Sequence, residues 1–197
     1  MPDEEAHDDM IGAGTAVELC WSALGLYWLA SALETKKTAV NENPALRVFR
    51  ISILAITLAL LLTDWLKIGI MGQRFVPEVR TLIWCGVLLT GAGVALAIWA
   101  RWNLGRNWSD KVVLKVDHEL IRSGPYAYLR HPIYTGVLLA VAGTALVVGE
   151  WRGVAALVLL GTNYYVKATR EEKILAANFG EAFAAHKQKT GFFLPGL

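Results

Sequence analysis

The stretch that decides the fold is PIYTGVLLAVAGTALVVGEWRGVAALVLLGTNYYV, residues 132–166. Two apolar runs stand back to back, and only Glu150-Trp151-Arg152 separates them. So short a connection forces an antiparallel helical hairpin. A helix needs roughly 20 apolar residues to cross the hydrocarbon core of a bilayer. The first arm, 132–149, comes close to that length, and the second, 151–167, reaches it if Trp151, Arg152 and Lys167 snorkel toward the interfaces.

Working outward, three further apolar stretches precede the hairpin. Residues 81–100 hold no charged residue, 10–33 hold one acid, Glu18, and 48–63 run on through Asp64-Trp65-Leu66-Lys67 to residue 71. The whole chain is 55% hydrophobic and 18% charged, with eight tryptophans and a mean hydropathy of +0.41. Soluble domains carry about 25% charge. The expected fold is therefore all-α: a single polytopic membrane bundle of about five transmembrane helices, at 10–33, 48–71, 81–100, 132–149 and 151–167. No repeat or low-complexity segment interrupts it.

Lysine and arginine set the orientation. With the N-terminus outside, 15 of them fall on the cytoplasmic side and four on the outer side. The positive-inside rule then puts the N-terminus outside and the C-terminus in the cytoplasm. The acidic start, MPDEEAHDDM, lacks the basic region of a cleavable signal peptide. Segments 101–131 and 168–197 become cytoplasmic, and the first is long enough to expect a function of it. After the last span the helix is predicted to continue with an amphipathic stripe of Ile174, Leu175, Asn178, Phe179, Ala182, Phe183 and His186. Gly180 weakens its middle.

Composition also excludes some chemistry. Cys20 and Cys85 sit in separate apolar runs, so neither a disulfide framework nor a thiolate metal site is expected. No H-E-x-x-H, P-loop or dinucleotide fingerprint is present, and no metal is expected. The basic residues follow membrane topology, so no nucleic-acid partner is expected.

Two motifs carry chemistry. In Gly124-Pro125-Tyr126-Ala127-Tyr128-Leu129-Arg130-His131-Pro132-Ile133-Tyr134-Thr135-Gly136, the Gly-Pro pair makes a turn and Pro132 suits the first turn of a helix. Arg130 and His131 then stand just before the fourth span, whose free N–H groups favour an anion. Past the fifth span come Lys167, Arg170, Glu171 and Glu172. The hairpin returns them to the membrane face of His131. Each motif alone also fits a basic, aromatic membrane entry or a solvated helix end, whereas their convergence at one face points to a site.

At these residues the sequence resembles the isoprenylcysteine carboxyl methyltransferase family, and more loosely the phospholipid methyltransferases. The resemblance rests on Leu104-Gly105-Arg106, His118, Gly124-Pro125-Tyr126, Arg130-His131-Pro132-x-Tyr134-x-Gly136, Glu171-Glu172, Phe179-Gly180 and Pro195, and it covers about 101–197. It implies a membrane enzyme that takes S-adenosylmethionine at the cytoplasmic end of the bundle, held by His118, Tyr126, Arg130, His131, Pro132, Tyr134 and Glu172. The methyl acceptor would be lipophilic or lipidated, would enter from the bilayer, and would meet Lys167, Arg170 and Glu171. One position departs from the family: Lys167 stands where an arginine is usual, and lysine lacks the two-pronged carboxylate contact of arginine. The acceptor is therefore open between a carboxylate, a thiol and an amine, the last including phospholipid N-methylation. The alternatives from other classes are an NADPH-dependent membrane sterol or steroid reductase, and a membrane scaffold or channel built on Glu18, Asp64 and Lys67.

Overall fold

A computed structural model describes residues 2–32, 44–105 and 120–196. Those residues form five helices: α1 (Pro2–Ala32), α2 (Pro44–Leu62), α3 (Arg80–Leu104), α4 (Pro132–Val148) and α5 (Trp151–Lys189). Among the described residues there are no strands beyond two isolated bridges, Arg74 with Glu150 and Leu129 with Gly191. The five helices follow the five apolar stretches in order. Helix α3 is the one helix, among the described residues, both long and apolar enough to cross a membrane, and Val48–Leu62 and Pro132–Val148 are shorter apolar segments.

The α3–α4 pair is the centre of the bundle, with α1 against α3 and α2 against α5. Lipid offers apolar side chains no less than a partner helix does, so membrane helices associate by close backbone approach at small residues. Here Gly86 and Gly93 of α3 meet Gly143 and Gly136 of the antiparallel α4. A Cβ on Gly93 would lie 2.4 Å from the Ala140 nitrogen and 2.5 Å from the Gly136 oxygen. Those are backbone atoms and cannot swing aside. Gly93→Ala should therefore cost about 1–3 kcal/mol. Gly91→Ala, whose Cβ meets nothing nearer than the Cys20 sulfur at 3.9 Å, should be neutral or stabilising by up to about 1 kcal/mol. Thermal unfolding in detergent compares the two, and equal shifts would contradict the packing account. Helix α1 is pinned across this pair by the Trp21 indole, which donates to the Thr144 hydroxyl at 3.0 Å.

The second apolar stretch differs from expectation. Its helix ends at Leu62, and the expected continuation to residue 71 forms two short 3-10 turns, Asp64–Leu66 and Gly69–Gly72. The physical reason is Arg152. Its guanidinium donates to the carbonyls of Leu60 at 3.0 Å and of Thr63, capping α2 where the helix has no further partners. Arg152 also pairs with Glu150 at 2.5 Å, and both side chains are buried. Arg152 is thus packed into the α4–α5 turn and does not snorkel. Asp64 and Lys67 pair with each other at 2.9 Å on the exposed side of the same cluster, outside any helix span, while Glu18 is exposed on α1.

Helix α5 continues past the fifth stretch without a break until Gly180, where φ is +48° and ψ −122°. That left-handed conformation suits glycine. The kink takes the amphipathic stripe out of register. Phe183 and His186 beyond it are buried, while Asn178 and Ala182 are exposed. The second half of α5 folds back toward the start of α4.

Candidate active site

The site is built at one end of the α4–α5 hairpin. Gly124–Ala127 forms a single 3-10 turn, which the Pro125 carbonyl closes by accepting from the Tyr128 and Leu129 N–H groups. His131 follows with non-helical backbone angles, φ −127° and ψ 55°, and Pro132 opens α4 at its first position. Proline disfavours a helical conformation in the residue before it, and Arg130 and His131 stand just ahead of the helix start.

Both glutamates of α5 meet them there. Glu172 Oε1 accepts from Arg130 Nε at 2.5 Å, and Oε2 accepts from Lys187 Nζ at 2.9 Å. Glu171 Oε1 accepts from the Tyr134 hydroxyl at 2.7 Å and lies 4.0 Å from Lys167 Nζ. His131 sits between the acids, with Nδ1 3.7 Å from Glu171 Oε2 and Nε2 3.5 Å from Glu172 Oε1. Its side chain is 5% exposed. The approach to Glu172 falls short of hydrogen-bond geometry, so Nε2 is buried without a hydrogen-bond partner among the described residues. Buried polar atoms are nearly always satisfied.

An aromatic wall runs beside the acids. The rings of His131 and Tyr134 stack at 5.5 Å and 7°, and Tyr134 stacks on Tyr164 at 4.6 Å. Lys167 Nζ lies 5.2 Å from the Tyr134 ring centroid. On the other side Phe192 meets His131 edge-on at 5.0 Å, and the Arg130 guanidinium lies over the Phe192 ring at 5.5 Å.

The environment sets the protonation. Burial pushes the Glu172 carboxyl up, but the His131 imidazole, the Lys187 ammonium and the Arg130 guanidinium outweigh it and hold the group at about 2. Glu172 is an anion at any working pH. Burial pushes the Tyr126 hydroxyl well above the usual phenol range, and the Glu171 charge adds to that. Tyr126 therefore remains a neutral donor, packed with Ala100 and Ile133.

Of the residues expected at the site, the structure brings together Arg130, His131, Pro132, Tyr134, Lys167, Glu171 and Glu172, with Tyr126 in the adjoining core. Arg170 is exposed and makes no ion pair among the described residues, so it stands outside the cluster. His118 lies outside the described residues. The sequence reading missed Tyr164, Lys187 and the tail Thr190–Phe193. The Arg130 N–H donates to the Gly191 carbonyl, the Arg130 guanidinium to the carbonyls of Lys187 and Thr190, and the Thr135 hydroxyl to the Phe193 carbonyl. It also missed Arg101, read as a loop base. Arg101 is buried within α3 and donates to the carbonyls of Ser31 and Gly105, joining the ends of α1 and α3.

With this geometry in place, the family model for phospholipid methyltransferase matches residues 81–182, just over half of the chain. The protein belongs to the phospholipid methyltransferase family. That match spans the α3–α4 core, the Arg130-His131-Pro132 mouth and Glu171-Glu172. The chain is also 28% identical to the human protein-S-isoprenylcysteine O-methyltransferase over 202 residues, covering 94% of this chain and 70% of the human one. The resemblance is therefore not confined to 101–197 but reaches into the first helices. A solved structure of the eukaryotic intramembrane Ras methyltransferase, isoprenylcysteine carboxyl methyltransferase, superposes with a TM-score of 0.54 at 20% identity, over 80% of this chain and 55% of that one. That likeness concerns the fold, an all-helical membrane bundle. A weaker similarity joins residues of this family member to the steroid 5-alpha-reductase of Solanum lycopersicum, 27% identical over 107 residues, 52% of this chain and 42% of the reductase.

Proposed function

We propose that the protein is a multi-pass membrane methyltransferase that uses S-adenosylmethionine to methylate the carboxylate of a lipophilic, isoprenylcysteine-like acceptor. In this reading all five helices span the bilayer, the N-terminus is outside, and 101–131 with 168–197 form the cytoplasmic catalytic region. The observation that carries it is the buried, unpartnered His131 Nε2 beside an ionised Glu172 and an aromatic wall. A buried imidazole nitrogen with no protein partner is open to a ligand atom. Tyrosine faces suit a sulfonium, a carboxylate suits ribose hydroxyls or an amino group, and the mouth of α4 suits the methionine carboxylate.

The residues thus fit the cofactor. When bound, S-adenosylmethionine would supply an electrophilic methyl group, which the acceptor carboxylate would take up as a methyl ester. Glu172, held rigid by Arg130, and His131 orient the cofactor. Tyr126 and Tyr134 would line its site, and the assignment of His118 rests on the resemblance alone. Lys167, rather than the exposed Arg170, is our choice of counter-ion for the acceptor carboxylate, because its ammonium lies within the cluster near Glu171. Catalysis is then mainly positioning, and Glu171 fixes the Tyr134 hydroxyl and Lys167.

A carboxylate needs no base near neutrality, whereas a thiol, with an ordinary pKa near 8.5, must first lose its proton. Methyl transfer to a prenylated thioether carboxylic acid should therefore show a single-turnover rate nearly flat from about pH 6.5 to 8.5, and yield a base-labile methyl ester. Lys167→Ala should raise KM for the acceptor more than it lowers kcat. A steep alkaline rise, with label resistant to base, would overturn the carboxylate assignment in favour of a thiol or amine. The similarity to the steroid reductase gives a second reading, reduction by NADPH, which direct cofactor binding separates.

A further inference from the structure

We propose that Lys187 is a positioning residue of the cofactor site: it reaches back across the Gly180 kink and holds the outer oxygen of Glu172. This rests on the reading of Glu172 as a cofactor ligand. The two residues are 15 positions apart on one helix, about 22 Å along a straight α-helix at 1.5 Å per residue. Their side chains nevertheless meet at 2.9 Å. Only the left-handed turn at Gly180 makes the contact possible. Lys187 is therefore placed against Glu172 by the backbone turn, with its side chain still half-exposed.

The division of labour on Glu172 supports the assignment. Arg130 takes Oε1 from within, with its side chain 9% exposed, and Lys187 takes Oε2 from the solvent side, with its own 55% exposed. Each carboxylate oxygen thus has one cation, and each keeps capacity for a further donor. With Lys187 gone, Arg130 and the nearby His131 alone would orient the group, and Oε2 would be free to turn away from the cluster. Lys187 also carries the fold-back, since its backbone carbonyl accepts from Arg130 Nη1 at 3.3 Å. The charged and titratable groups around Glu172 are Arg130, His131 and Glu171 at the mouth of α4 and on α5, Lys187, and His186. Burial pushes the His186 imidazole down, and the Arg122 and Arg130 charges push it the same way.

The test uses the full chain in detergent and S-adenosylhomocysteine as the probe, measured by calorimetry at pH 7 and pH 5. Lys187→Ala should weaken binding about tenfold at pH 7. It should weaken it a further two- to threefold at pH 5, relative to the unsubstituted protein, because Glu172 has lost one of the cations that keep it ionised. His131 and His186 are present in both proteins, so the difference reports the loss of Lys187 from Glu172. Lys187→Arg should bind within threefold of the unsubstituted protein at both pH values, which a general loss of stability would not produce. Binding by Lys187→Ala within twofold at both pH values, with Glu172→Gln still impaired, would overturn the role of Lys187 alone. If Glu172→Gln binds normally as well, the cofactor reading of the site falls with it.

Discussion

Replacing Arg152 with alanine is expected to destabilise the protein by about 3–5 kcal/mol, the range for removing one partner of a buried ion pair. Arg152 is 5% exposed on its side chain, with Nε 2.5 Å from Glu150 Oε2 and Nη2 3.5 Å from Asp64. Its Nη1 satisfies two carbonyls at the end of α2. Alanine would leave Glu150, also nearly buried, with only the half-exposed Lys67 at 3.5 Å. It would also free the α2 terminus from the turn that anchors it. Replacing the pair together, Glu150→Leu with Arg152→Met, removes the unpaired charge and should recover part of the loss, though α2 would still lack its cap. Thermal unfolding in detergent measures both. An Arg152→Ala shift no larger than that of an exposed residue such as Arg170→Ala would contradict the account. The cluster lies at the opposite end of the hairpin from His131, so cofactor affinity of the folded fraction should be unchanged.

The second large effect is at Glu172. Glu172→Gln keeps the shape but loses the charge that Arg130 and Lys187 grip and that the cofactor would meet. A charge-assisted hydrogen bond is worth about 1.5–3 kcal/mol, so cofactor affinity should fall roughly ten- to a hundredfold. The folded carboxyl is held at about 2, against an ordinary value of 4.5. A depressed carboxylate stabilises the folded protein above its unfolded value, and that contribution disappears as pH falls from the ordinary range toward 2. Between pH 5 and 8 the carboxyl stays ionised, so the loss of affinity should be constant across that window. His131→Ala should act in the same direction by removing the imidazole whose Nε2 awaits a partner. Unchanged affinity in both variants would take these residues out of the site.

Much of this was legible in the sequence because the signals were local. The three residues between two apolar runs dictate the α4–α5 hairpin, and the hairpin brings Glu171 and Glu172 to the face of His131. Pro132 marks the helix mouth by its own covalent geometry. What stayed hidden depended on contacts between distant segments. Lys187 reads as a solvated residue until Gly180 turns the helix, since periodicity does not survive a left-handed residue. Arg152 reads as a snorkelling flank because nothing local shows that α2 ends against it. Arg170 and Lys167 look equivalent in a charge run, yet three positions along a helix put one near Glu171 and the other in the open. The glycines of α3 and α4 look like unremarkable small residues until their seven-residue spacings face each other.

The central claim is that the side-chain cluster around His131 and Glu172 holds S-adenosylmethionine. Its most direct test is calorimetry of detergent-purified, folded protein with S-adenosylhomocysteine, run beside NADPH. The account predicts saturable binding of S-adenosylhomocysteine at one site per chain, weakened at least tenfold in Glu172→Gln, and no binding of NADPH. Binding of NADPH without S-adenosylhomocysteine, or binding of neither by a sample that unfolds cooperatively, would contradict it.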